Sequence, residues 1–143
     1  MAEAVFRAMV KEAGLPVRVD SAGTHARREG EPPDARAQRR AARRGYDLSG
    51  IRSRMVNAAD FASYDLIVAM DEGNLRVLER RCPASHRGKL RLFLEFAPEL
   101  GCRELPDPYF EGEETFEQVL DMVEAAARRL LDHARDYLAR VST

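Results

Sequence analysis

The feature that most constrains the fold is the apolar run within "YDLIVAM" at residues 64–70, which has the length of a β-strand and no polar alternation. Such a run is typical of a strand that is buried on both faces, as in parallel sheets covered by helices. The segments "LPVRVD" (15–20) and "KLRLFLEF" (89–96) predict two further strands. These patterns favour an α/β fold.

Helical patterns alternate with the strands. The opening "MAEAVFRAMVKEAG" has apolar residues at positions 6, 9, 10 and 13, while Glu3 and Arg7 belong to the opposite, charged face. The later predicted helices begin at capping residues: Asp34, Asn57, Asp71 and Thr115. The alternation predicts one three-layer α/β domain over residues 1–143, with a short parallel sheet flanked by helices.

Composition narrows the class of protein. The net charge is −1, and no apolar stretch approaches the roughly 18 residues needed to cross a bilayer, so we expect a cytoplasmic protein without membrane contact. Cys82 and Cys102 form no C-x-x-C pair, and His25, His86 and His133 are far apart in sequence. We therefore expect reduced thiols, no metal site and no cofactor.

Charge is unevenly distributed along the chain. Nine arginines lie between residues 25 and 54, whereas residues 95–124 contain ten acidic residues and one arginine. A basic helix could neutralise nucleic-acid phosphates. A solvated helix face is the favoured interpretation, because aromatic stacking partners and an overall basic charge are both lacking.

Three stretches carry a family resemblance, in order from Met1 to about His133. They are "MAEAVFR" followed by "VDSAGT", then "FASYDLIVAMDEGNL", and finally "LPDPYFEGEETFEQVLDMVE". Together they resemble the low-molecular-weight protein-tyrosine-phosphatase family. The resemblance implies hydrolysis of a phosphotyrosine protein or another phosphomonoester through a cysteinyl-phosphate intermediate.

In that family, a hydrophobic strand and a C-x5-R-S loop stand just before the segment that matches "MAEAVF". The loop supplies the cysteine nucleophile and the arginine that holds the phosphate. We therefore expect this chain to be N-terminally truncated, to lack its first, central strand, and to be inactive as given. "CPASHRG" from Cys82 places Arg87 one position too early to replace the loop, and Cys102 has only Arg103 beside it.

The resemblance also implies roles for residues in the chain. Asp107 in "DPY" corresponds to the general acid that protonates the leaving oxygen, and Pro108 restricts it to an extended conformation. Ser21 corresponds to a serine that supports the phosphate loop. Tyr109 is expected to stack on an aromatic substrate, and Arg27 to favour an anionic peptide or phosphate.

Three departures from the family pattern leave the substrate open. Arg27 stands where many relatives have an aromatic residue, Ile51 stands where many have a histidine, and Phe110 replaces the second tyrosine of "DPYY". Phosphoarginine-phosphatase and arsenate-reductase chemistry on the same scaffold therefore remain alternatives. A non-catalytic, phosphatase-like binding module is a further alternative, and a nucleic-acid-binding module is the least favoured.

The expected truncation has a consequence for the sheet. The strands at Val17 and Leu66 would face each other across a vacant place, and the loss of two hydrogen-bond ladders would exceed the roughly 5–15 kcal/mol by which domains are stable. The chain would then re-pair its strands, borrow one from another molecule, or fold poorly. A dimer or strand-swapped oligomer through exposed strand edges is one expected outcome.

Overall fold

The computed structural model describes residues 1–24, 30–105 and 113–141; the side chains of residues 113–115 lie outside the description. The helices are α1 (Ala2–Ala13), α2 (Ala35–Ala42), α3 (Ala58–Ser63), α4 (Glu72–Arg81) and α5 (Glu113–Val141). The strands are β1 (Ile67–Ala69) and β2 (Leu90–Leu92), and short 3₁₀ turns follow at Ala84–Lys89, Phe93–Phe96 and Pro98–Leu100. The presence of both helices and strands confirms the expected α/β class.

The sheet of the described residues is parallel. β1 pairs with β2 in a register that places Ile67 opposite Leu90 and Ala69 opposite Leu92. Helix α4 connects the two strands and packs against both, as a parallel connection requires a crossover. The predicted short parallel sheet is therefore confirmed.

Helices cover both faces of this sheet. Successive residues of a strand point to opposite faces: Val68 packs against the core formed by α1 and α5, whereas Ala69 is buried among residues of α3, α4 and β2. We call the first of these the α1–α5 core. Its buried members are Val5, Phe6, Val10, Phe93, Leu94, Ala97, Phe116, Val119, Leu120, Val123, Ala126, Ala127 and Leu130.

Local capping chemistry fixes the starts of the middle helices. Asp34 accepts a hydrogen bond from the Arg36 N–H at 2.6 Å, and Asn57 and Asp60 form a reciprocal capping box. At its end, α1 stops at Gly14, whose φ of 67° is in the region where glycine avoids the strain of a side chain. The predicted caps at Asp34 and Asn57 are confirmed.

Three sequence predictions of element boundaries are wrong. Helix α5 begins at Glu113, so Thr115 lies inside the helix rather than at its cap. The predicted strand at 89–96 shortens to Leu90–Leu92, because the chain turns at Phe93–Phe96 and buries Phe93 and Leu94 in the α1–α5 core. Tertiary burial overrides strand propensity at this point.

The segment 15–20 is the third difference. Within the described residues it joins no β-ladder, and the Val19 carbonyl instead accepts a hydrogen bond from the Arg7 guanidinium at 2.5 Å. Val17 and Val19 still pack against the α1–α5 core, as Leu66 does. The segment therefore contributes to the core without being a paired strand.

None of the helices in the described part of the chain is both long and apolar enough to span a membrane.

Packing of α5 on α1 should dominate stability. Replacement of fully buried Leu120 by alanine is expected to lower the free energy of unfolding by about 2–5 kcal/mol, because it removes apolar contacts and leaves a cavity. Urea denaturation measures the free energy of unfolding of the variant and the parent. The control is Val141→Ala on the same helix, where the side chain is 60% exposed and a change within about 0.5 kcal/mol is expected. Equal losses in the two variants would contradict this packing.

Candidate active site at the carboxyl ends of the strands

Several chain segments meet at the carboxyl end of β1, the edge at which parallel sheets bind ligands. β1 ends at Ala69, and the carbonyl of the next residue, Met70, accepts a hydrogen bond from the Leu105 N–H at 3.5 Å. The chain therefore enters residues 106–112 from this edge.

Ser21 connects the segment 15–20 to the first turn of α1. Its hydroxyl donates to Glu3 Oε1 at 2.5 Å, and Glu3 Oε2 forms an ion pair with Arg7 Nη2 at 2.9 Å. Although the sequence pattern assigns Glu3 to the charged face of the helix, the residue is buried. The hydrogen bond from Ser21 and the ion pair with Arg7 explain how a carboxylate is tolerated there.

The backbone around Ser21 is held on both sides. Before it, the Asp20 carboxylate accepts the Ser21 N–H at 2.9 Å and pairs with Arg54 at 3.2 Å. After it, Gly23 forms a parallel bridge with Met55, in which the Gly23 N–H donates to the Arg54 carbonyl at 2.8 Å. Ser21 is thus in a preorganised position.

Arg54 is the centre of a small ionic network. Its guanidinium donates to both oxygens of Asp60, at 2.9 and 3.2 Å, and this contact, followed by the Asp20 charge, raises the pKa of Arg54. Burial opposes ionisation of Asp60, but the bonds from Arg54 and from the Asn57 N–H hold the pKa of Asp60 below its ordinary value. The network joins the Ser21 region to α3.

Thr24 connects the same region to α4. Its hydroxyl donates to the side-chain carbonyl of Asn74, and the Asn74 N–H donates to Asp71 at 2.7 Å. Asp71 is therefore the predicted N-cap of α4. The chain that leads into residues 25–29 is fixed against the start of this helix.

Two arginines hold the chain on either side of residues 106–112. Before them, Arg103 pairs with Glu72 at 2.8 Å and with Glu95 at 3.3 Å. After them, Arg44 binds three carboxylates of α5: Glu117 (2.7 Å), Asp121 (2.7 Å) and Glu124 (2.5 Å). The hydrogen bond to Asp121, followed by that to Glu117, raises the pKa of Arg44. Both contacts are partly exposed, so they set geometry more than stability.

Tyr46 adds a further contact to Glu124, one of the three carboxylates that Arg44 binds. Its hydroxyl donates to Glu124 Oε2 at 2.6 Å. Burial, and then the hydrogen bond to Glu124, raise the pKa of Tyr46 to about 12. The phenol therefore stays protonated near neutral pH and keeps donating to Glu124.

The structure locates one of the four predicted site residues. Ser21 lies at this edge, next to the first turn of α1. Asp107, Tyr109 and Arg27 lie outside the described residues. The described chain contacts α4 before residues 25–29, through Thr24, and before residues 106–112, through Arg103. After residues 25–29, the Gly30 N–H donates to the Ser53 carbonyl at 2.7 Å.

The two cysteines have different surroundings. Cys82 is buried at the C-terminal end of α4 and its thiol contacts the Pro83 carbonyl at 3.4 Å; a ten-residue helix puts it about 15 Å from the Asp71 end. Cys102 is half-buried and packs against the α1–α5 core. Among the described residues, no group of three or more acidic, histidine or cysteine side chains could hold a metal.

Sequence reasoning missed Glu3, Asn74 and Arg44 as organising residues. For Arg44 a signal was available, because acidic residues at 117, 121 and 124 share one helix face and oppose the arginine-rich segment. For Glu3 the neighbouring apolar residues gave a weaker signal of burial. Asn74 carries no sequence signal beyond its place in the first turn of α4.

A family model described as low molecular weight phosphotyrosine protein phosphatase matches residues 1–140. The chain belongs to this family. Among the relatives of this phosphatase-family chain, a low molecular weight protein-tyrosine-phosphatase of Streptomyces coelicolor is 43% identical over 141 residues, which are 95% of this chain and 85% of that protein. The resemblance found in the sequence is thereby confirmed.

Solved structures agree with the family assignment. A protein tyrosine phosphatase from Entamoeba histolytica, crystallised with Hepes in the active site, matches with a TM-score of 0.88 and 35% identity, over 94% of this chain and 87% of that one. A Drosophila arginine phosphatase matches with a TM-score of 0.83 and 31% identity, over 92% of this chain and 87% of that one. The α/β fold is that of low-molecular-weight phosphatases.

The Arg54 network gives a pH-dependent stability prediction. Arg54→Met is expected to lower the free energy of unfolding at pH 7 by about 1.5–3 kcal/mol, because two charge-assisted hydrogen bonds to Asp60 are lost. The pKa of Asp60 is lowered in the folded state, so its contribution is present at neutral pH and disappears as pH falls below about 4. The difference in free energy of unfolding between the variant and the parent should therefore disappear below about pH 4.

The matched control for this experiment is Arg52→Met. Arg52 is exposed and donates to the carbonyls of Ser49 and Ile51, so its replacement should cost about 0.5 kcal/mol or less. Urea unfolding at a series of pH values measures both variants. A loss in Arg54→Met that is the same at pH 3 and pH 7 would contradict the ion pair.

Proposed function

We propose that the protein hydrolyses phosphomonoesters, with phosphotyrosine proteins as its substrate class. A cysteine thiolate attacks phosphorus, the bond from phosphorus to the leaving oxygen breaks, and Asp107 donates a proton to that oxygen. Water then attacks the cysteinyl phosphate, Asp107 takes a proton from it, and inorganic phosphate leaves with the thiolate restored. The meeting of Ser21, the first turn of α1 and the entry to residues 106–112 at one sheet edge carries the proposal.

The nucleophile and the phosphate-binding arginine belong, in this proposal, to a strand and loop that precede Met1 in the whole protein. Residues 1–143 by themselves are then inactive, although they form one phosphatase-like domain of a cytoplasmic enzyme. The position of Cys82 at the C-terminal end of α4 supports this, because its buried thiol lies away from the candidate site.

The preceding strand would lie between the segment 15–20 and β1. Within the described residues that segment joins no ladder, and β1 pairs with β2 alone. Val17 and Val68, one from each side, pack against the same α1–α5 core. A parallel strand between them would pair both edges and direct its following loop to the start of α1. Without it, the chain associates through these edges as a dimer or strand-swapped oligomer.

The remaining roles follow from the family resemblance. Asp107 is the general acid, and Pro108 keeps it extended. Ser21 supports the phosphate loop, and Tyr109 stacks on the aromatic ring of the substrate. Arg27 departs from the family pattern, and its positive charge attracts anionic groups. The contacts of Arg103 before residues 106–112 and of Arg44 with α5 after them support the assignment of Asp107, since a general acid must be held within hydrogen-bond reach of the leaving oxygen.

A second candidate substrate is phosphoarginine. The similarity to a Drosophila arginine phosphatase favours it. The two substrate classes differ in the atom that leaves phosphorus, oxygen in one and nitrogen in the other. A comparison of kcat/KM for a phosphotyrosine peptide and a phosphoarginine peptide decides between them, and we expect the phosphotyrosine value to be higher.

The general-acid role is tested in the protein expressed from its whole reading frame, with any residues that precede Met1 there. Asp107→Asn should lower kcat for phenyl phosphate by about 10²–10⁴-fold. The loss should be smaller for p-nitrophenyl phosphate, because its more acidic leaving group needs less protonation. Asp136→Asn, at an exposed position of α5, is the control and should retain the parent rate.

Three outcomes would overturn the proposal. The first is a parent protein that hydrolyses no phosphomonoester, which would favour a non-catalytic binding module. The second is an Asp107→Asn variant with unchanged kcat for phenyl phosphate. The third is turnover by residues 1–143 that survives Cys82→Ser and Cys102→Ser.

A further inference from the structure

Glu3 is the only charged side chain that is buried among the residues the structure describes, with 5% of the side chain exposed. Removing a carboxylate from water costs several kcal/mol unless close partners compensate. Glu3 has two such partners, the Ser21 hydroxyl at 2.5 Å and Arg7 Nη2 at 2.9 Å. Helix α1 could bury an apolar side chain here without that cost, so the carboxylate calls for a chemical explanation.

The geometry points to Glu3 as a positioning residue that determines whether Ser21 donates or accepts a hydrogen bond toward the phosphate loop. This inference rests on the proposed function. An ionised carboxylate can only accept hydrogen bonds, and a serine hydroxyl has a single proton to donate. With that proton committed to Glu3, the Ser21 oxygen can only accept from any other group. Ser21 therefore presents an acceptor to the loop and not a donor.

An acceptor is what a phosphate-binding loop requires on its outer side. The loop binds phosphate oxygens through N–H groups, so any N–H that points away from the phosphate needs an acceptor from the surrounding protein. A hydroxyl free to rotate could instead donate, or compete for the phosphate itself. Glu3 removes that freedom from Ser21.

Arg7 completes the arrangement. Its Nη2 forms an ion pair with Glu3 Oε2 at 2.9 Å and donates a hydrogen bond to the Val19 carbonyl at 2.5 Å. Glu3 is thus held from one side by a residue one turn later in α1, and the same guanidinium fixes the chain two residues before Ser21. Because Arg7 can only donate, it requires an acceptor at Glu3 Oε2.

That requirement makes Glu3→Gln a directed test. In the variant the glutamine carbonyl should turn to Arg7, so that its NH₂ group faces Ser21. Ser21 would then accept from Gln, and its proton would point toward the loop. The substitution keeps the shape of the side chain but inverts the hydrogen-bonding direction that Ser21 presents.

The experiment is a double-mutant cycle of Glu3→Gln and Ser21→Ala in the protein expressed from its whole reading frame. Each single variant should lower kcat for phenyl phosphate by about tenfold, with KM within about twofold, because the loop rather than substrate binding is disturbed. The double variant should be no slower than the slower single variant, since the two residues act as one unit. Glu12→Gln, at an exposed position of α1, is the matched control and should keep the parent kcat.

Failure of the inference is separable from failure of the proposed function. An active parent in which Glu3→Gln keeps its kcat while Ser21→Ala loses activity overturns the role of Glu3 alone, and so do effects that multiply in the double variant. A parent without phosphomonoesterase activity overturns both. If Glu3→Gln does not fold, Glu3→Asp, which keeps the charge but shortens the reach to Ser21, enters the same cycle under the same criteria.

Discussion

Packing of β1 between two helical layers is the constraint on which the rest of the structure depends. Val68 faces the α1–α5 core and Ala69 faces the residues of α3 and α4. Ala69 is buried and Ile67 and Val68 are partly buried, so backbone groups of the strand that are shielded from water need hydrogen bonds from neighbouring strands. β2 supplies them on one side. The carboxyl end of β1, followed by Met70 and Asp71, is then the place where α4 starts and where residues 106–112 are entered.

Several polar contacts connect segments that are distant in sequence. Arg44 joins the end of α2 to α5, Arg54 joins the Ser21 region to α3, and Thr24 joins it to α4. Single partly exposed ion pairs contribute little to stability. Their common effect is to fix the relative positions of the segments around the candidate site, which is what a reaction that needs groups within hydrogen-bond reach requires.

Local chemistry made part of this structure predictable. The caps at Asp34, Asn57 and Asp71 depend on a few neighbouring residues, and β1 depends on its own apolar run, so sequence patterns were sufficient. The segment 15–20 was predicted as a strand and is not one, because a ladder depends on a partner that local sequence does not specify. Burial of Glu3 depends on Ser21, which is 18 residues away, and therefore could not be read from the pattern of α1.

The central proposal is that this sheet edge is completed by a strand and loop which precede Met1. A crystal structure of the protein expressed from its whole reading frame, with orthovanadate bound, tests it most directly. The expected result is an added parallel strand, hydrogen-bonded to both the segment 15–20 and β1, with vanadate held by the following loop beside Ser21. Direct pairing of the segment 15–20 with β1, or vanadate bound away from Ser21, would contradict the proposal.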